Sequence, residues 1–251
     1  MSLTDAQLER YARHIILKEI GGAGQAKLLA ARVAVVGAGG LGSPCIQYLA
    51  AAGVGHLTVI DDDTVDLSNL QRQVLHGTDD VGRAKTQSVA DAVSRLNLDV
   101  AVAQHRVRLD AENAATLLAG HDVIADGSDS FETRRAVADA ALALRIPLVA
   151  AAVGPFEGQI ATYRGWEADK PCWHCFVGEA ADREGATCAE AGVLGALTGV
   201  MGAMQALEVI REIAPFGDSL AGRVLLYDAL GARVRTVRLP KDPQCPSCGK
   251  A

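Results

Sequence analysis

Two sets of residues in this chain have the types and spacing to do chemistry. The first starts at the loop Gly37-Ala-Gly39-Gly40-Leu-Gly42 and continues through Asp61, Asn69, Arg72, Gln73, Lys85 and Asp129. A Gly-x-Gly-x-x-Gly loop between a strand and a helix lets backbone approach a phosphate, and the helix N-terminus favours the negative charge. Asp61 closes the apolar run His56–Ile60, where a carboxylate can accept hydrogen bonds from ribose hydroxyls. To that point a dinucleotide enzyme fits equally well. Arg72 and Lys85 break the tie. An arginine holds phosphate oxygens in a fork, and a lysine adds a point charge. Asp129 follows the strand ending at Ala125-Asp126, at the sheet edge where open α/β sheets bind ligands. A carboxylate there suits Mg²⁺, a hard ion held through phosphates and one or two carboxylates. The chain has no Gly-x-x-x-x-Gly-Lys-Ser/Thr sequence, so scattered residues must manage the charge of a triphosphate. The set predicts a nucleoside triphosphate and a metal ion, with transfer of AMP to a carboxylate as the chemistry.

The second set is cysteine. Cys172-Trp-His-Cys175 and Cys245-Pro-Ser-Cys248 are two Cys-x-x-Cys pairs, and four thiolates suit a closed, structural, tetrahedral Zn²⁺. Such a site would pin the tail to a long loop, with His174 a bystander. Cys188 lies in Thr187-Cys-Ala-Glu190, whose capping-box spacing puts it in the first turn of a helix from about residue 188 to 214. A helix N-terminus favours thiolate, so Cys188 is a candidate for a covalent role. Cys45 is expected to be a small buried residue.

Alternating elements must position these groups. Thr4-Asp-Ala-Gln7 is a capping box, and Leu8, Tyr11, Ile15 and Ile16 recur at helical spacing, so a first helix is expected to about Glu19, ending at Gly21-Gly22. Strands are expected at 33–36, 56–60, 101–104, 122–125 and 147–150. Helices are expected after the glycine loop through 52, and at about 83–96, 111–118 and 131–144. That order implies a doubly wound, mostly parallel sheet. After Gly158 the pattern changes: a strand at 159–163, a long loop over 165–190, a glycine-spaced helix, and a hairpin of 223–227 with 233–238. Gly192, Gly195, Gly199 and Gly202 are expected on one helix face that a second backbone approaches. No linker divides residues 1–251, so one domain is expected: a helical arm over 1–22, a nucleotide-binding core over 32–155, and a part over 156–251 that binds zinc and a partner protein.

Bulk properties narrow the partners. A net charge of −6 argues against a broad nucleic-acid surface. The N-terminus is polar and has no signal-peptide core, so a cytoplasmic protein is expected. The uncharged stretch 191–207 falls short of the roughly 20 apolar residues of a membrane span.

The combined motifs resemble the MoeB/ThiF/HesA family, bacterial relatives of ubiquitin-activating enzymes. The resemblance rests on Tyr11-Ala-Arg13-His-Ile-Ile-Leu17, the glycine loop, Asp61 to Asp63, Ser68-Asn-Leu-Gln-Arg-Gln73, Gly82-Arg-Ala-Lys85, Asp126-Gly-Ser-Asp129, Phe156-Glu-Gly-Gln159, Thr187-Cys188 and both Cys-x-x-Cys pairs. It implies a Rossmann-like fold with a C-terminal antiparallel portion. It also implies ATP-dependent adenylation of the C-terminal glycine of a ubiquitin-like sulfur carrier, in molybdopterin or thiamine synthesis. The residues it implicates are Asp61 for ribose; Asn69, Arg72, Lys85 and Gln73 for phosphates; Asp129 for Mg²⁺; and Arg13 reaching the phosphates from the other subunit of a homodimer. With the chain ending at the second cysteine pair, sulfur is expected from a separate donor protein. Two other readings compete: a nicotinamide-dependent oxidoreductase on the same loop, and a catalytically silent scaffold that binds the carrier.

Overall fold

A computed structural model of the chain describes residues 3–178 and 192–249. Eight strands form one sheet in the order β3-β2-β1-β4-β5-β6-β7-β8. Strands β1 (Arg32–Val36), β2 (His56–Ile60), β3 (Ala101–His105), β4 (Val123–Asp126) and β5 (Leu148–Val153) run parallel. Strands β6 (Glu157–Tyr163), β7 (Arg223–Asp228) and β8 (Arg233–Arg238) extend the sheet antiparallel. The strand order reverses direction at β1, between β2 and β4. The turns after those strands leave a crevice at such a switch point.

The central strands read as unbroken apolar runs because both faces of the sheet are covered. Alternate residues feed the two cores. Val33 and Val35 join the core formed with α3 (Gly21–Ala30), α4 (Gly42–Ala51), α5 (Lys85–Leu96) and α9 (Gly195–Ile213). Ala34 and Val36 join the opposite core with α6 (Ala114–Leu118), α7 (Phe131–Leu144) and Trp173 of α8 (Trp173–Val177).

The N-terminal region departs from expectation. The capping box at Thr4 forms, but α1 (Asp5–Arg10) stops at Tyr11 instead of continuing to Glu19, and a short α2 (Ala12–Ile15) follows. Tyr11 is 2% exposed. Its ring lies where a side chain on Gly53 would sit, 2.5 Å from an ideal Cβ. Its hydroxyl donates to Asp99 (3.2 Å) and accepts from the Asn97 amide (2.8 Å). The helix breaks at this inward anchor. Gly21-Gly22, expected to end a helix, instead begins α3, with Gly21 at φ +59°.

Helix α9 begins at Gly195, with Leu194 as its N-cap, so it does not extend back to residue 188. Thr187 and Cys188 lie outside the described residues, and the first-turn placement of Cys188 does not apply to α9. Of the four spaced glycines, Gly195 and Gly202 sit at close backbone approaches, 2.1 Å from Gln71 O and 2.3 Å from Leu41 O to an ideal Cβ. Gly199 meets nothing within 4 Å, and Gly192 precedes the helix. Among the described residues no helix is long and apolar enough to cross a membrane.

Candidate nucleotide site and cysteine cluster

A cavity of about 340 Å³ opens where β1, β2 and β4 end. Its floor is made by two glycine turns in contact. Gly37 has φ +89°, and an ideal Cβ on it would lie 3.2 Å from Gly127 O. Gly42 opens α4 so close to Gly37 that a Cβ would lie 1.9 Å from the Gly37 carbonyl oxygen. Only glycine fits there, which is how the loop brings backbone to the cavity.

Asp61 is fixed by this loop. One carboxylate oxygen accepts the Ala38 N–H at 2.7 Å, and the other accepts the Asp63 N–H at 2.9 Å. Burial raises its pKa, against the lowering by the Lys85 charge and the two backbone donors. Lys85 is the first residue of α5; its side chain is only 5% exposed, and its Nζ lies 2.6 Å from Asp63. Arg72 lines the cavity and donates to the Ser68 carbonyl at 3.0 Å. Gln73 is 4% exposed, and its Oε1 has no hydrogen-bond partner. Turned end for end, the same amide would offer N–H donors to a phosphate.

The β4–α7 turn forms the far wall. Asp126 is 1% exposed, and its Oδ1 accepts the Ser128 backbone N–H (2.9 Å) and hydroxyl (2.7 Å). Burial raises its pKa, while the Arg134 charge and the two Ser128 donors lower it. Asp126 organises the turn, whereas Ser130 caps α7 by accepting the Thr133 N–H at 3.4 Å. Asp129 faces the cavity, exposed, with no ion pair among the described residues. Gln205 of α9 pins the base of the wall by donating to the carbonyls of Asp126 (2.8 Å) and Val149 (3.0 Å).

The structure thus brings Gly37, Gly39, Gly40, Asp61, Arg72, Gln73, Lys85 and Asp129 to one cavity. Gly42 stands behind the loop. Asn69 does not line the cavity; its Oδ1 accepts the Asp66 N–H at 3.3 Å in the turn before Arg72. Arg13 is exposed on α2 and is not part of the cavity within one chain. Sequence reasoning missed Arg134, a cavity-lining cation that donates to the Ser128 carbonyl. Its signal was available: it follows the Asp126–Asp129 motif by just over one helical turn. Arg108 and Thr198 also line the cavity and had no local signal.

For a divalent cation the donor chemistry is oxygen. The carboxylates of Asp61, Asp62 and Asp63 approach within 4.8 Å of one another, and Asp129 lines the same cavity, whose lining among the described residues holds no imidazole or thiol. That set matches Mg²⁺ rather than a softer metal.

Far from this edge, the four expected cysteines converge. Cys172 Sγ lies 3.8 Å from Cys175 and 3.6 Å from Cys245, and Cys175 lies 3.4 Å from Cys248. Tetrahedral Zn²⁺ with bonds of about 2.3 Å requires sulfur–sulfur edges of roughly 3.8 Å. The residues fit that ion. His174 points elsewhere, with its Nε2 2.6 Å from Asp139. Cys45 is fully buried, and burial pushes its thiol up to about 12.

An open sheet with a phosphate loop at its carboxyl edge, a cation-rich cavity and a remote four-cysteine cluster defines a doubly wound nucleotide-binding protein. The chain belongs to the ThiF family, whose model matches residues 11–247. It is 48% identical over 251 residues to the SAMP-activating enzyme E1 of Haloferax volcanii, covering 100% of this chain and 92% of that protein. It is 43% identical over 253 residues to the sulfur carrier protein adenylyltransferase of Thermus thermophilus, covering 99% of this chain and 93% of that one. In fold it is similar to Escherichia coli MccB, solved with AMPCPP and MccA, at TM-score 0.84 and 22% identity over 99% of this chain and 75% of that chain.

Proposed function

We propose that the protein adenylates the C-terminal glycine carboxylate of a ubiquitin-like sulfur carrier, using ATP and releasing pyrophosphate. The observation that carries this reading is the convergence of Asp61, Arg72, Lys85 and Asp129 on one cavity at the carboxyl edge of the sheet. The names of the two relatives support the substrate class.

In this account Asp61 holds the ribose, and the glycine loop offers backbone to the phosphates. Arg72 and Lys85 neutralise phosphate oxygens, and Gln73 donates to one of them. A carrier carboxylate oxygen attacks the α-phosphorus; a new O–P bond forms as the bond to the bridging oxygen of the β-phosphate breaks, and pyrophosphate leaves with that electron pair. The attacking carboxylate is already ionised near neutral pH, so no general base is required. Among the described residues the cavity lining contains no histidine. Catalysis is then alignment plus stabilisation of charge by Arg72, Lys85, Arg108 and Arg134. Asp129 would hold Mg²⁺, which when bound offsets triphosphate charge.

The surface of the antiparallel strands, with Gln159, Tyr227, Arg233 and Arg235 around a second, open cavity, receives the carrier. Zn²⁺ occupies the four-cysteine cluster. Arg13, and Asn69 behind Arg72, complete the phosphate site in a homodimer, Arg13 from the other subunit.

Incubating the protein with ATP, Mg²⁺ and each candidate carrier, then measuring the carrier's intact mass, tests the reading. An AMP adduct that disappears when the last glycine is deleted supports it. An unmodified carrier alongside NAD binding in preference to ATP would favour the oxidoreductase reading.

A further inference from the structure

We propose that His76 is a positioning residue for the glycine loop, tying it to the helix that carries Lys85. This rests on the nucleotide site proposed above, but His76 itself is not part of the cavity lining. It is 6% exposed, and both ring nitrogens are engaged. Nε2 lies 3.1 Å from the Ala38 carbonyl oxygen, and Nδ1 lies 2.8 Å from the Ser88 hydroxyl. A carbonyl only accepts, so Nε2 carries the proton, and Nδ1 faces the Ser88 hydroxyl, which also bonds the Asp80 carboxylate. Burial, together with the Lys85 charge, lowers the imidazole's pKa, against the raising by the Ala38 bond and by Asp80 and Asp61. The ring is therefore neutral at neutral pH.

The consequences run in two directions. Ala38 is fully buried and held on both sides: its N–H donates to Asp61 at 2.7 Å, and its carbonyl accepts from His76 and from the Ser43 hydroxyl at 3.3 Å. Fixing both peptides around one α-carbon leaves that residue's two backbone dihedrals little freedom. The carbonyl that His76 holds belongs to the same planar unit as the Gly39 N–H, and the two point in opposite directions. Turning the carbonyl toward His76 keeps its partial negative charge off the polyanion and sets the direction of a donor on a cavity-lining residue. On its other side, Ser88 is three residues beyond Lys85 on α5, one turn along the same face. His76 thus links the backbone donors and the lysine to one frame, and the ribose carboxylate through Ala38.

The test uses His76→Ala, His76→Gln and His76→Asn, with ATP affinity by calorimetry, steady-state constants for ATP and thermal melting. A glutamine amide reaches the Nε2 position and can donate to Ala38. An asparagine amide reaches only the Nδ1 position and keeps Ser88 without Ala38. We expect His76→Ala and His76→Asn to raise KM for ATP about tenfold, the scale of one lost buried hydrogen bond, with a smaller change in kcat. His76→Gln should return KM to within about threefold of the parent. If His76→Ala fails to fold, the Gln–Asn pair decides. Equal defects in Gln and Asn, or an unchanged KM in all variants that melt like the parent, would overturn the proposal. A parent protein that binds no ATP would instead overturn the site reading on which it rests.

Discussion

Gly42→Ala adds one methyl group where the structure has no room for it. The new Cβ would lie 1.9 Å from the Gly37 carbonyl oxygen and 2.8 Å from its carbon. Both neighbours are backbone, so no side-chain rotation relieves the contact. The loop and α4 must separate by more than about 1 Å to restore ordinary packing. Overpacking of this kind costs about 3 kcal/mol, and for a chain of this size each kcal/mol lowers Tm by about 2–4 °C. The expected loss is therefore about 6–12 °C. Displacing phosphate-binding backbone by about 1 Å is expected to slow adenylation about 100-fold. Two further glycines supply the scale. An ideal Cβ on Gly40 meets only the Thr198 side chain, at 3.1 Å, and one on Gly199 meets nothing within 4 Å. Melting temperatures should therefore rank Gly42→Ala below Gly40→Ala, with Gly199→Ala at or slightly above the parent because alanine is the better helix former. Differential scanning calorimetry and pyrophosphate exchange on the three variants give the answer. A Gly42→Ala protein with parental Tm and turnover would refute the close-approach argument.

The remaining predictions concern charge and metal. Lys85→Met should lower kcat about 100- to 1000-fold, the scale of removing one transition-state donor. It should change stability little, since its partner Asp63 is 65% exposed; a normal kcat would remove Lys85 from the site. Asp129→Ala should abolish turnover while the protein melts like the parent, because this exposed carboxylate has no ion pair among the described residues; retained turnover would contradict its role. Asp61 carries a raised folded pKa, so its protonated form is the one the fold favours. Its contribution to stability is present below the unfolded value of 3.8 and is lost as pH rises through the folded value. Ribose binding needs the carboxylate, so ATP affinity should fall on acidification with a midpoint above 3.8, and Asp61→Ala should remove that dependence; an identical acid limb in the variant would refute the assignment. Elemental analysis should find one Zn²⁺ per chain, with loss of the metal and a lower Tm in Cys245→Ser; a metal-free parent of unchanged stability would contradict the cluster's role.

Much of the fold was legible because its signals are local. The runs 33–36 and 57–60 are short, buried and rich in β-branched residues, and glycine and aspartate mark their ends. The Cys-x-x-Cys pairs announce chelation even though Cys172 and Cys245 stand 73 positions apart. What stayed hidden depends on distant partners. The break at Tyr11 follows from Asn97, Asp99 and Gly53, none of them near it in sequence. Helix α3 begins on glycines that normally end helices, and it holds through the burial of Gln25 and Leu28. The cap of α7 is Ser130, while Asp126, buried, holds the Ser128 turn instead. Gln205 and His76 act through carbonyls of segments remote in sequence, and no spacing rule marks such contacts.

The most direct test of the central claim is ATP–pyrophosphate exchange with Mg²⁺, adding each candidate sulfur carrier in turn. The account predicts exchange that depends on one carrier's intact C-terminal Gly-Gly and is lost in Lys85→Met and Asp129→Ala. Exchange that needs no carrier, or its absence with every carrier together with a failure to bind ATP, would contradict it.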